Sequence, residues 1–190
     1  MLILASSSRY RRELLQRLGV PFEIIAPLVD ESATLAESPQ QRAQRLALAK
    51  ASAVSQQRPE ATVIGSDQVA FCKSTILHKP GNEACCRAQL QWLSGSTATF
   101  HTAVVVIRGS PARSVCFLDT TTVTFRALSA AEIDRYIIAE QPFDCAGGFR
   151  SESLGITLFE QVVGTDPTAL IGLPLIGLAR ALREFGYALP

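Results

Sequence analysis

The chain has 190 residues, 47% of them hydrophobic and 18% charged, which excludes a disordered, collagen-like or coiled-coil protein. At roughly 150 residues per domain, that length predicts one domain, or one compact unit of two lobes around a cleft, large enough to fold without disulfide or metal staples. Eighteen basic residues against seventeen acidic ones leave a net charge of +1, so no overall field favours nucleic acid or an acidic membrane.

In chain order, a short strand at Leu2 to Ala5 enters the run Ser6-Ser7-Ser8, and a helix follows to about Leu18, closed by Gly19 and Pro21. A strand is predicted near Phe22 to Ala26. Ser38-Pro39 combines a capping side chain with proline in the first turn and opens a helix to about Gln56. Thr62 to Phe71 reads as a largely buried strand, and Asn82 to Leu93 as a third helix. Two β-rich runs, Thr97 to Ile107 and Ser114 to Arg126, flank Arg108-Gly109-Ser110-Pro111 in the manner of a hairpin. Ser129 and Glu132 form a capping-box pattern that opens a helix to about Glu140. Ile156 to Val163 reads as a strand and Leu173 to Phe185 as the last helix. Alternating strand and helix periods give an α/β class: a mixed sheet with helices on its faces.

Apolar runs such as Ala103 to Ile107 fall far short of the ~20 residues that span a bilayer. Met-Leu-Ile-Leu-Ala followed by Arg9, Arg11 and Arg12 does not fit a secretory signal, which needs its positive charges before a longer apolar core. The five cysteines are odd in number and lack CxxC spacing, so they read as buried free thiols of a reducing cytoplasm. His78 and His101 lie in no metal-ligand spacing.

Two cations fall where a core stripe should be. With Tyr10 at 0° on a helical wheel, Leu14, Leu18 and Leu15 lie at about 40°, 80° and 140°, and Arg11 at about 100° among them. In the second helix, with Ala43 at 0°, Leu46, Val54 and Ala47 lie at about 300°, 20° and 40°, and Lys50 at about 340°. An inward cation needs an anion or a wet cleft, unless it snorkels to the surface. Beside a serine-rich strand-to-helix turn, with its hydroxyls, backbone N–H groups and positive helix end, the pair points to a phosphate pocket.

Acidic residues complete the set. Asp67 interrupts the buried run Val63 to Val69, so it marks the place where that strand meets a cleft. Asp30-Glu31 follows the second strand; by itself it reads as a surface pair. Lys79-Pro80-Gly81 alone would be an ordinary turn. Serines, an arginine, lysines and carboxylates suit metal-assisted cleavage of a polyphosphate: cations neutralise phosphate oxygens, carboxylates hold a divalent ion, and one carboxylate activates water.

The segments SSSRYRRELL at Ser6 to Leu15, VDE at Val29 to Glu31, RLALAK at Arg45 to Lys50, GSDQV at Gly65 to Val69 and HKP at His78 to Pro80, with the later AGGFRSE and GLPL, together resemble the Maf family from the first strand to the last helix. The resemblance implies a nucleoside triphosphate pyrophosphatase that uses a divalent cation, magnesium or manganese, to release a monophosphate and pyrophosphate. It implies a fold similar to the inosine triphosphate pyrophosphatases, one domain over residues 1–190, and a homodimer as one assembly. Carried over by position, Asp67 is the general base, Glu31 and Asp67 are the metal-linked carboxylates, and Arg11, Lys50 and Lys79 contact phosphate, beside Ser6 and Ser8. The family often has proline where this chain has Arg9, on the polar side of the wheel.

Tyr10, Gln68 and Glu152 resemble the family branch that hydrolyses 7-methyl-GTP; the thymidine and uridine triphosphate branch typically carries arginine, threonine and glutamine there. N7 methylation makes guanine cationic, so an aromatic face attracts it, and a carboxylate accepts from its N1–H and 2-amino groups. Gln68 would be a pocket wall. Without the resemblance, Tyr10 reads as a core-flanking aromatic and Glu152 as a surface charge. Alternatives are a pyrophosphatase for TTP, UTP or another non-standard nucleotide, and a regulator of septum formation that binds nucleotide without turnover.

Overall fold

The computed structural model describes residues 1–109 and 113–190. The expected turn at Arg108-Gly109-Ser110-Pro111 therefore lies partly outside the described residues. The elements are β1 (Leu2–Ala5), α1 (Arg9–Gln16), β2 (Glu23–Ile24), α2 (Pro39–Gln57), β3 (Thr62–Cys72), β4 (Thr75–Leu77), α3 (Glu83–Leu93), β5 (Thr97–Arg108), β6 (Arg113–Phe125), α4 (Ala130–Glu140), β7 (Phe159–Val163) and α5 (Leu175–Glu184). The class is the α/β fold with a mixed sheet that the sequence implies. Strands run in the order β2-β1-β3-β5-β6-β7, with β4 paired to β3. No helix among the described residues is long and apolar enough to cross a membrane.

Contacts divide the chain into two compact units, to which β3, β5 and β6 each contribute residues. The first comprises residues 1–68, 101–119 and 165–190. In it β1 pairs in parallel with β2 and with β3, setting Ala5 opposite Gly65. Its core joins Leu2 and Leu4 of β1, Leu14 and Leu15 of α1, Ile64 of β3, Val104 and Val106 of β5, and Leu178, Leu182 and Phe185 near α5. The second unit comprises residues 69–100 and 120–164. There β4 folds back antiparallel on β3, β7 pairs antiparallel with β6, and Phe100, Phe125, Phe149 and Phe159 pack edge to face at 4.9 to 5.6 Å.

The helix starts follow the caps written in the sequence. Ser8 caps α1; Ser38 with Gln41, and Ser129 with Glu132, form reciprocal capping boxes; Asn82 caps α3. Boundaries differ where tertiary packing decides them. The strand expected from Ile156 begins at Phe159, because Leu154–Leu158 is a 3-10 turn whose Gly155 lies against the Arg150 backbone. The last helix begins at Leu175, after Pro174, and α1 stops at Gln16. β4 has three residues, too few to make a periodic signal.

One close approach fixes the distance between α2 and β3. A Cβ at Gly65 would strike the Ala47 carbonyl oxygen and come within 2.6 Å of Ala51 N and 2.8 Å of Ala51 Cβ. Only a residue without a side chain permits this contact, and it sets Lys50 of α2 facing Asp67 of β3. Gly65→Ala should therefore cost about 2–3 kcal/mol as overpacking, lowering the melting temperature by roughly 4–10 °C. An unchanged thermal melt would show that α2 shifts freely on the strand.

Candidate active site

The first unit gathers most of the charged residues expected from the sequence. Lys50 lies on the apolar face of α2 between Ala47 and Val54 and is 7% exposed. Its Nζ donates to Asp67 Oδ1 at 2.6 Å and is 2.7 Å from Glu31 Oε1. Asp67 is also 7% exposed, so the two opposite charges share a largely desolvated contact, where an unpaired charge would be costly. Glu31 is the exposed member of the trio.

Glu31 sits in an irregular segment that α2 holds by its arginines. Arg42 Nη2 donates to the Glu31 carbonyl at 2.9 Å and Arg45 Nη2 to the Ser32 carbonyl at 3.0 Å. Arg45 also grips Glu37 with Nε at 2.6 Å and Nη2 at 2.9 Å, a bidentate geometry. These bonds from Arg45 are the main cause holding the Glu37 carboxyl at about 2. The clamp is present above the ordinary carboxylate range and is lost only as pH falls through that low value. Arg42 and Glu37 were not singled out from the sequence; the one available signal was three cations, Arg42, Arg45 and Lys50, on a single helix.

Arg11 enters from α1. The turn before it is tied locally: Ser8 N donates to the buried Ser6 Oγ at 3.1 Å, and Arg11 N donates to Ser8 Oγ at 3.4 Å. Arg11 Nε donates to the Gly172 carbonyl at 2.9 Å. Burial lowers the Arg11 pKa, while the charges of Asp67 and Glu31 oppose that shift, so the guanidinium lies within the field of both carboxylates. Gly172 has φ +126°, a conformation that side chains strain.

Gln68 follows Asp67 on β3, so its side chain leaves the opposite face of the strand. Its Nε2 donates to Thr102 Oγ1 at 2.9 Å and to the Ala169 and Leu170 carbonyls at 3.0 and 3.1 Å. Tyr10 is half-buried, and the Arg9 guanidinium lies 4.7 Å from its ring centroid. Arg9 thus covers the aromatic ring, a contact the wheel did not suggest.

Lys79 and Glu152 belong to the second unit and are exposed. Gly81 N donates to the Phe143 carbonyl at 2.9 Å, which anchors the Lys79-Pro80-Gly81 turn. The turn carrying Glu152 is held by Glu140, whose Oε1 accepts from Ser153 Oγ at 2.6 Å and from Leu154 N at 3.3 Å.

The described residues contain no group of three or more His, Cys, Asp or Glu side chains able to enclose a metal ion. The pair Glu31 and Asp67, both on the Lys50 ammonium, nevertheless fits a hard divalent ion such as magnesium. Such ions commonly take one or two protein carboxylates and complete their shell with water and substrate phosphate oxygens.

A family model described as "Maf-like protein" matches residues 1–185. A Xanthomonas oryzae protein named 7-methyl-GTP pyrophosphatase is 53% identical over 189 residues, covering 100% of this chain and 98% of the relative. One of the same name from Aromatoleum aromaticum is 51% identical, covering 100% and 97%. Among solved structures, the Staphylococcus aureus Ham1 protein aligns over 66% of this chain and 72% of its own at 14% identity, with a TM-score of 0.47. A family model spanning nearly the whole sequence, and relatives half identical from end to end, make the chain a member of the Maf family.

Proposed function

We propose that this chain hydrolyses 7-methyl-GTP to 7-methyl-GMP and pyrophosphate in the cytoplasm, removing a modified nucleotide. The observation that carries the reading is the buried Lys50 ammonium shared by Asp67 and Glu31, with Arg11 in the field of both carboxylates. Relatives named for this activity match the full chain. All five cysteines are free, in keeping with a reducing compartment, but only Cys72 and Cys86 are buried as expected, while Cys85 and Cys116 are exposed.

Asp67 accepts a proton from the attacking water, whose oxygen bonds to phosphorus as the α–β anhydride bond breaks and pyrophosphate leaves. Lys50, Arg11 and Lys79 bind the triphosphate oxygens, with Ser6 and Ser8 shaping the turn beside them. In the free protein Lys50 is shared by Asp67 and Glu31; an arriving triphosphate gives the ammonium a third anion and releases the Asp67 carboxylate for proton transfer. Glu31 and Asp67 would hold a magnesium or manganese ion, which when bound neutralises phosphate charge and polarises the anhydride.

Tyr10 and Glu152 read the base, with Gln68 as a wall fixed by backbone carbonyls. In the free protein the Arg9 guanidinium lies over Tyr10, so a stacked base would take the other face of the ring or displace it. A stacked cationic base gains about 1–2 kcal/mol when desolvated, and charge-assisted hydrogen bonds to Glu152 about 1.5–3 kcal/mol.

Asp67→Asn should remain folded and lose about 10²–10⁴-fold in kcat; more than about a third of the wild-type rate would remove Asp67 from the mechanism. Chelation with EDTA should abolish pyrophosphate release, and added magnesium or manganese should restore it; full activity in chelator would exclude the ion. Across 7-methyl-GTP, GTP, TTP and UTP, kcat/KM should favour the methylated nucleotide by at least about a hundredfold over the pyrimidines. Tyr10→Ala and Glu152→Gln should each compress that ranking. TTP or UTP as best substrate would overturn the choice of base and leave the pyrophosphatase chemistry standing, whereas no turnover of any nucleotide would favour a regulator.

A further inference from the structure

The segment from Asp166 to Pro174 supplies no charge to the carboxylate cluster, yet its carbonyls hold side chains on which the site depends. The Gly172 carbonyl accepts from Arg11 Nε at 2.9 Å and Ser66 Oγ at 3.2 Å. The Ala169 carbonyl accepts from Gln68 Nε2 and Thr102 Oγ1, both at 3.0 Å, and the Leu170 carbonyl accepts from Gln68 at 3.1 Å. Irregular backbone keeps its carbonyls aimed only when something fixes it in turn.

Beyond the turn hydrogen bonds that the segment makes within itself, such as Gly172 N to the Ala169 carbonyl at 2.9 Å, a buried carboxylate fixes it. Asp166 is 4% exposed. Its Oδ1 accepts from Thr168 N at 2.9 Å and Thr168 Oγ1 at 2.7 Å, and its Oδ2 accepts from Ile176 N at 2.6 Å. Thr168 Oγ1 accepts from Leu175 N at 2.8 Å. The helix α5 has no side-chain cap of its own at Pro174, so Asp166, from outside the helix, meets its first-turn N–H and positive end. The carboxylate therefore clamps both ends of the segment.

We infer that Asp166 is a positioning residue: it fixes segment 166–174, whose Gly172 carbonyl aims the Arg11 guanidinium and whose Ala169 and Leu170 carbonyls aim Gln68. The functional part of this inference rests on Arg11 as a phosphate contact; the aiming of Arg11 does not. A residue that only capped α5 would change stability and leave Arg11 untouched.

The test uses the full ¹⁵N-labelled chain, with the Arg11 Nε–H resonance assigned by its loss in Arg11→Lys. Asp166→Asn keeps one carbonyl oxygen and cannot accept at both positions. It should speed solvent exchange of the Arg11 Nε–H about tenfold and raise the nucleotide KM about tenfold, with kcat changed less than about twofold. In the Arg11→Lys background the same substitution should have an effect on KM of less than about threefold, because coupled residues are not additive. If Asp166→Asn folds poorly, Thr168→Val removes only a hydroxyl from the same network and carries the same measurements. Unchanged Arg11 exchange beside a lowered melting temperature, or additive effects on KM, would overturn the inference and leave Asp166 a helix cap. A wild-type chain that releases no pyrophosphate would instead sink the reading of the site, and Arg11 exchange would still decide this one.

Discussion

A lysine ammonium buried between two carboxylates is the interaction on which the rest of this molecule depends. Lys50 lies on the apolar face of α2 with Asp67 and Glu31 to answer its charge, and Asp67 interrupts a buried strand with Lys50 to answer its own; each makes the other tolerable where water is scarce. The surrounding structure serves that contact. Gly65 lets helix and strand approach, the arginines of α2 hold the segment bearing Glu31, and β1, paired to β3, delivers the serine turn and Arg11.

Much of this was legible in the sequence because it violates local rules. A lysine and an arginine on apolar stripes, and an aspartate within a buried strand, are conflicts between pattern and chemistry that folding alone does not explain. Two of the caps were equally plain: Ser38 and Ser129 each accept the backbone hydrogen bond their position predicts. These signals are local, and local signals survive translation into a one-dimensional string.

What the string did not carry is long-range and uses ordinary residues. The Arg45–Glu37 clamp spans only eight residues, but Glu37 lies before the cap of α2 and no helical pattern places it beside Arg45. Gln68 reads as a polar residue in a strand, whereas its amide nitrogen is committed to carbonyls a hundred residues away in sequence. The 3-10 turn before β7 and the three-residue β4 follow from packing and not from periodicity. Tyr10 and Glu152 drew attention only through family resemblance, since an aromatic and an exposed acid carry little information by themselves.

The adjacency of Asp67 and Gln68 has an evolutionary consequence. Because neighbouring strand residues face apart, one β-strand presents the proton acceptor on one side and the wall proposed to meet the base on the other. A substitution at position 68 would change that wall without changing the charge at position 67, yet it would also remove the Gln68 hydrogen bonds to the Ala169 and Leu170 carbonyls of the segment whose Gly172 carbonyl holds Arg11. A new wall therefore comes without cost to phosphate binding only if its side chain still ties down the same stretch of backbone.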